Sequence, residues 1–372
     1  MFGEHVVVLG KTALASALDL RTYVKVAQEA EGRIDVKLPH TTFSFNLADI
    51  GNPGEIPPIE QATLSPALLN AVEPLCSADQ HGIFKQAMVS LLFMYLLAAR
   101  DQRPGVSIEV KSQVPFGVGL GSSAAYNTSL AAALLRFFRP ELFGEQPFGE
   151  LDRAAKDVVN NLAFQGEKIM HGNPSGIDNT VSVLGGMIAY TSGGVENLVD
   201  VPLLKLIVTN TKISRNTKQL VAKVGTLNRM FPSVTGPLLD SVHHISQNVL
   251  TLFREYPNKR TEENLLEIES QLEIFISMNH NILGALGVGH PALDRICHIS
   301  NQNHMQSKLT GAGGGGCAFT LVKKNIVPSK VTTMISELEA AGFECFPVNI
   351  GGKGLQYHDL LEIPPLPNFL PK

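Results

Sequence analysis

Residues 115–126 read PFGVGLGSSAAY. Before them, residues 106–111 (VSIEVK) alternate apolar and polar side chains, the period of a strand with one face buried. After them, the Ala- and Leu-rich run from Ser122 to Phe138 has the composition of a helix. The spacing therefore predicts strand, glycine loop and helix start in direct succession. Glycine at 117, 119 and 121 lets the backbone approach an anion closely and adopt positive φ. The helix start offers unpaired N–H groups and the positive end of a dipole, which suits a polyphosphate. Ser123 adds a hydroxyl of the kind that joins the oxygen shell of a phosphate-bound Mg²⁺. Residue types alone equally allow a Gly-rich turn capped by serine.

Three look-alikes fail on spacing. Gly10-Lys11-Thr12 resembles the end of a P-loop, but six residues separate Gly3 from Gly10 where that motif has four. The G-x-G-x-G pattern at Gly117 is not the dinucleotide fingerprint, and no series of βαβ units surrounds it. The stretch 171–176 lacks the spacing of a hydrolase nucleophile elbow.

Two acidic residues follow in FQGEKIMHGNPSGIDN, residues 164–179. Glu167 falls near the end of an amphipathic helix, expected over 151–170. Asp178, eleven residues on, is expected in a loop among Pro174, Gly176 and Asn179. One carboxylate that holds a metal and one that orients or deprotonates a hydroxyl are the two side-chain tasks of phosphoryl transfer. A surface ion pair of Glu167 with Lys168 and a turn role for Asp178 are the alternatives. His171, beside this loop, is a candidate substrate contact, whereas His243 and His244 lack metal-ligand spacing. Near the C-terminus KLTGAGGGGC, residues 308–317, places five glycines in six positions. That density implies close approach either to a ligand or to another part of the backbone. Thr310 is suited to a phosphate or to a local turn.

At 372 residues the chain is long enough for two domains. With 44% apolar and 17% charged residues, wholesale disorder is not expected. A net charge of −4 argues against a dedicated nucleic-acid surface. The four cysteines are widely separated with no C-x-x-C pair, which points to reduced, buried thiols in a cytosolic protein. The apolar run 87–99 is too short to span a bilayer and is expected as a core helix. Residues 6–8 and 21–27 are expected as strands, residues 46–74 as an exposed loop. Domain division is expected near residue 200, giving 1–200 and 201–372.

The segments FGEHVVVLGKTALA, PFGVGLGSSAAY, FQGEKIMHGNPSGIDN, TNTKISRNT, NILGALGVGH and KLTGAGGGGC together resemble the GHMP small-molecule kinases, in particular the members that phosphorylate mevalonate. The resemblance implies an α/β (α+β), two-domain fold. Its parts are an N-terminal ATP-binding domain, a ferredoxin-like C-terminal domain and an active-site cleft between them. The implied reaction is ATP-dependent phosphorylation of the C5 hydroxyl of (R)-mevalonate, a step of isoprenoid and sterol biosynthesis. Carried over by motif, Ser112, Gly117, Val118, Gly119, Leu120, Gly121, Ser122, Ser123, Thr310, Gly311, Ala312, Gly313 and Gly314 would contact ATP. Ser123 and Glu167 would hold Mg²⁺, and Asp178 would be the catalytic base or orienting group. Glu4, His5, His171 and Thr217 would lie near mevalonate. A homodimer, competition by farnesyl or geranyl diphosphate at the ATP site, and a cytoplasmic location with a peroxisomal pool are also implied.

In this family FGEH follows a strand carrying A-P-G-K, whose lysine faces the transferring phosphate. Here FGEH begins at Phe2, so the resemblance also implies a chain short of that strand, with activity below an intact member's. The alternatives are an impaired form that binds nucleotide or isoprenoid diphosphate, and a GHMP kinase for another small alcohol.

Overall fold

The computed structural model describes residues 1–29, 32–77, 81–116, 119–144, 149–191, 194–198 and 200–358. These pack into two compact units, and neither is one continuous stretch. One takes residues 1–19 and 185–353; the other takes 20–184 with the described residues after 353. A single cut near residue 200 therefore does not describe the packing. The cause is a long-range pairing: strand Ala13–Ser16 pairs antiparallel with Met187–Thr191, which carries the first residues into the later unit.

In the unit of residues 20–184, one sheet has the order Thr22–Gln28, Val106–Ser112, Arg33–Leu38, Thr41–Asn46. Only the pairing of Arg33–Leu38 with Val106–Ser112 is parallel. Val106, Ile108 and Val110 face inward, as their alternation predicts. Helix Lys85–Ala99 is buried at every position from Ala87 to Ala99. A helix apolar on all sides belongs inside, and this one is packed by helices Ser122–Phe138 and Arg153–His171. Residues 46–74 are not a simple exposed loop. Ile50, Ile56, Ile59 and Ala62 are buried, and helix Pro66–Val72, capped by Ser65, buries Leu68, Ala71 and Val72. Those apolar side chains fold the Pro- and Gly-rich segment back onto the core.

The other unit holds an antiparallel four-stranded sheet ordered Ser307–Leu309, Cys317–Val322, Lys205–Asn210, Glu344–Asn349. Numbered along the chain from Lys205–Asn210, the spatial order is 2-3-1-4, the ferredoxin-like arrangement. Helices Pro291–Gln302 and Pro328–Ala340 pack against it. Longer helices Thr217–Met230, Pro232–Glu255 and Glu262–Ala285 complete the unit. The strand expected at residues 6–8 is a 3-10 turn, Val7–Leu9, closed by Gly10 at φ +72°. The strand register begins only at Ala13.

All four cysteines are buried and, among the described residues, none joins a disulfide. Burial pushes the thiols of Cys76 and Cys345 up to about 11 and those of Cys297 and Cys317 up to about 12. No described helix is long and apolar enough to cross a membrane.

Candidate active site

In the unit of residues 20–184 the strand Val106–Ser112 leads to helix Ser122–Phe138, as the glycine segment predicts. Gly117 and Val118 lie outside the described residues. Gly119 and Gly121 adopt φ +81° and +73°, the left-handed region that glycine enters without steric cost. Gly121 occupies the N-cap position and contributes no side-chain cap, so the first-turn N–H groups are not met by a capping side chain. Leu120, Ser122 and Ser123 are half-buried around this start. Ser112 ends the strand with its hydroxyl engaged by Thr22 at 2.8 Å and by the Val114 amide at 3.1 Å.

Glu167 meets the helix start from helix Arg153–His171. Ser123 Oγ donates to Glu167 Oε2 at 3.3 Å, and His171 Nε2 lies 2.9 Å from the same Oγ. Glu167 and His171 are four residues apart on one helix face, 3.9 Å between Oε2 and Nε2. The surface ion pair considered for Glu167 does not apply, since the residue is only 3% exposed. Burial pushes its carboxyl above the ordinary 4.5 and the Asp178 charge adds to this, while Asn127, His171 and Ser123 hold it down.

Asp178 stands in the first turn of helix Ile177–Leu184 instead of in a loop. The turn chemistry read from the sequence is real but ends two residues earlier, at Gly176 with φ +78°. A first-turn carboxylate is favoured by the helix dipole. The helix is tied to Arg153–His171 by a short polar chain. Asn179 Nδ2 donates to Asn160 Oδ1 at 2.7 Å, and Asn160 Nδ2 donates to Thr180 Oγ1 at 3.3 Å. Asp178 also borders the glycine segment: a Cβ built on Gly121 would lie 3.8 Å from the Cβ of Asp178. Loop, hydroxyl and both carboxylates thus converge within one unit.

The remaining candidates belong to the other unit. Glu4 is buried in an ion pair with Lys308, 2.5 Å from Nζ, which also donates to the Met1 carbonyl at 2.8 Å. His5, at φ +66°, shares a hydrogen bond between Nε2 and the Ala312 carbonyl at 2.9 Å. A carbonyl only accepts, so the proton is on Nε2, and buried Nδ1 has no partner among the described residues. Both side chains therefore point into their own unit. Thr217 opens helix Thr217–Met230 as an exposed residue, behind an Asn216 cap.

The glycine run is explained by close approach of its own chain. A Cβ on Gly313 would lie 2.2 Å from the Val288 carbonyl oxygen, and one on Gly315 2.8 Å from Ile213. Gly311 and Gly316 leave room for the Arg215 guanidinium, which donates to the Thr310 carbonyl at 2.9 Å. At these positions close approach of the chain to itself already requires glycine. Arg215, Lys308, Asn127 and Ser90 were not singled out by motif. Ser90 carries a signal, a polar residue inside the apolar stretch AMVSLLFMYLL, whereas Arg215, Lys308 and Asn127 have polar or glycine neighbours and carry no such mark.

Ser123 Oγ and the Glu167 carboxylate form an oxygen-only donor pair. The described residues contain no group of three or more His, Cys, Asp or Glu able to hold a metal. That donor set fits Mg²⁺, which keeps several waters and shares phosphate oxygens, and would not make a structural zinc site.

Comparison with known proteins follows the same division. Residues 84–186 match the GHMP kinases N terminal domain and residues 266–331 match the GHMP kinases C terminal family. The chain is 36% identical to mevalonate kinase of Bos taurus, over 96% of this chain and 92% of the bovine one. It is 37% identical to mevalonate kinase of Homo sapiens and 34% identical to that of Arabidopsis thaliana, covering 92% and 96% of those chains and 96% and 95% of this one. Among solved structures, the mevalonate kinase of Methanococcus jannaschii superposes with a TM-score of 0.68 at 22% identity, over 94% of each chain. The L. major mevalonate kinase in complex with R-mevalonate does so with 0.67 at 20% identity, over 95% of this chain and 94% of that one. With its two-domain fold and this relationship along almost its whole length, the chain belongs to the mevalonate kinase family of the GHMP kinases.

Proposed function

We propose that this chain transfers the γ-phosphate of ATP to the C5 hydroxyl of (R)-mevalonate. The observation that carries the reading is the convergence of the glycine-loop helix start, the Ser123–Glu167 oxygen pair and Asp178 in one unit. Phosphoryl transfer asks a protein for positioning and charge stabilisation more than for covalent chemistry. The backbone amides at residues 119–123 would hold the phosphate chain, with Thr310 and residues 311–314 as further nucleotide contacts. Ser123 and Glu167 would hold Mg²⁺, which when bound shields the phosphate charge. Asp178 orients the attacking hydroxyl and accepts its proton, its position fixed through the Asn160–Asn179–Thr180 chain. His171 and Thr217 would contact mevalonate. Glu4 and His5 would act through the segments they brace, Lys308 and Ala312. The family relationship supports the narrower expectations of a homodimer, competition by farnesyl or geranyl diphosphate, and a cytoplasmic location.

The test is a coupled ADP-release assay with mevalonate, phosphomevalonate, galactose and homoserine as separate acceptors. The reading expects ADP release that depends on mevalonate and little with the other three. Release with another acceptor but not with mevalonate overturns the substrate assignment while leaving a GHMP kinase.

A further inference from the structure

Behind Glu167 lies a buried amide that no motif marks. Asn127 sits on helix Ser122–Phe138, one turn beyond Ser123, and is fully buried. Its Nδ2 donates to Glu167 Oε1 at 2.8 Å and approaches Met170 Sδ at 3.3 Å. Its Oδ1 accepts from Ser90 Oγ at 2.7 Å, and Ser90 is itself fully buried on the central helix Lys85–Ala99. Every hydrogen-bonding atom of the amide is thus engaged. An ionised carboxylate only accepts, so the NH₂ group is the end that must face it, and the amide oxygen is left to accept from the Ser90 hydroxyl. A reversed amide would set its oxygen against the carboxylate.

An independent feature shows how closely the helices are held here. A Cβ on Gly166 would lie 2.2 Å from Met94 Cε and 2.5 Å from Asn127 Oδ1. The space beside the amide accepts no further atom, so Asn127 itself has little room to shift. Oε1 is occupied by Asn127, which leaves Oε2 directed at Ser123.

We propose that Asn127, locked by Ser90, is the positioning residue that presents Glu167 Oε2 to the metal. It touches neither nucleotide nor acceptor alcohol; it acts through the Glu167 carboxylate. The inference rests on the reading of Ser123 and Glu167 as the Mg²⁺-holding pair. Hydrogen-bond partners of metal-ligating carboxylates tune affinity strongly, their loss costing roughly 10–100-fold.

The test uses the full chain with Mn²⁺ as a paramagnetic probe and ADP as nucleotide, without mevalonate. Free Mn²⁺ is counted by electron paramagnetic resonance, and thermal unfolding is followed in parallel. Asn127→Ala is expected to weaken Mn²⁺ binding about tenfold or more. Asn127→Asp, of the same shape but setting a second carboxylate against Glu167, should weaken it at least as much. Ser90→Ala, which removes one atom and keeps the amide, should weaken it by about threefold, a smaller part of the same effect. Wild-type Mn²⁺ affinity in a folded Asn127→Ala or Asn127→Asp chain overturns the proposal. Should neither fold, wild-type affinity in Ser90→Ala overturns it. A wild-type chain that binds no Mn²⁺ with ADP overturns the parent metal assignment and this inference with it. Because no acceptor is present, failure of mevalonate as substrate leaves the result unaffected.

Discussion

Replacing Gly121 with alanine separates conformational cost from catalytic cost at the loop. Gly121 has φ +73°, and the added Cβ meets nothing nearer than the Asp178 Cβ at 3.8 Å. No clash enters the stability cost, which is therefore that of a left-handed alanine, about 1–2 kcal/mol. Spread over a unit of this size, each kcal/mol lowers the melting midpoint by roughly 2–4 °C. The variant should fold and melt a few degrees early. Activity should suffer far more, because the methyl group stands between the loop backbone and the Asp178 carboxylate. A misplacement of about 1 Å at such a position costs roughly a hundredfold in rate. Gly82→Ala serves as control: φ is +51° and nothing lies within 4 Å of the new Cβ. The pair is compared by calorimetry and by mevalonate-dependent ADP release. Equal activity in the two variants at similar melting temperatures would refute the placement of the reacting phosphate beside Gly121 and Asp178.

Two further outcomes concern the unit that contains residues 1–19. Lys308 and Glu4 form a buried pair, so Lys308→Met alone strands a carboxylate and should cost about 3–5 kcal/mol, measured by urea unfolding. Adding Glu4→Gln should recover much of that loss; no recovery would show that the pairing is not the cause. His5 and His280 are held below the ordinary 6.5 by burial. His5 Nε2 donates to the Ala312 carbonyl, while His280 Nδ1 accepts from the Leu309 amide and its Nε2 donates to Asp294, which offsets part of the effect of burial. Below pH 6.5 the unfolded chain takes up these protons and the folded chain resists them. Their stabilising contribution is therefore complete above about pH 6.5 and is lost as pH falls toward the folded values. The melting midpoint should drop over that window, less steeply in His5→Asn; a midpoint independent of pH there would contradict the assignment.

What could be read from the chain depended on the range of the interactions. Helix Ser122–Phe138 matches its sequence bounds because composition and the preceding glycines are local signals. The ordering of strand, loop and helix around the candidate phosphate site was legible for the same reason. Val7–Leu9 misled because three consecutive aliphatic residues suit a strand, whereas Gly10 closes them into a turn. Asp178 looked like a loop residue because Pro174 and Gly176 precede it, yet the helix begins directly after them. The discontinuous units were hidden because a strand gives no sign of its partner, and Ala13–Ser16 finds its own more than 170 residues later. Ser90 and Asn127 were hidden likewise: a buried polar residue in a helix is explained only by the neighbour it meets.

The central claim is that Asp178 serves transfer from a nucleotide held by the glycine loop. Single-turnover formation of phosphomevalonate from Mg²⁺-ATP and mevalonate, comparing wild type with Asp178→Asn at equal nucleotide occupancy, tests it most directly. The account predicts a rate in the variant lower by roughly 10²–10⁴-fold with nucleotide affinity nearly unchanged. Phosphomevalonate formed at the wild-type rate by Asp178→Asn would contradict it.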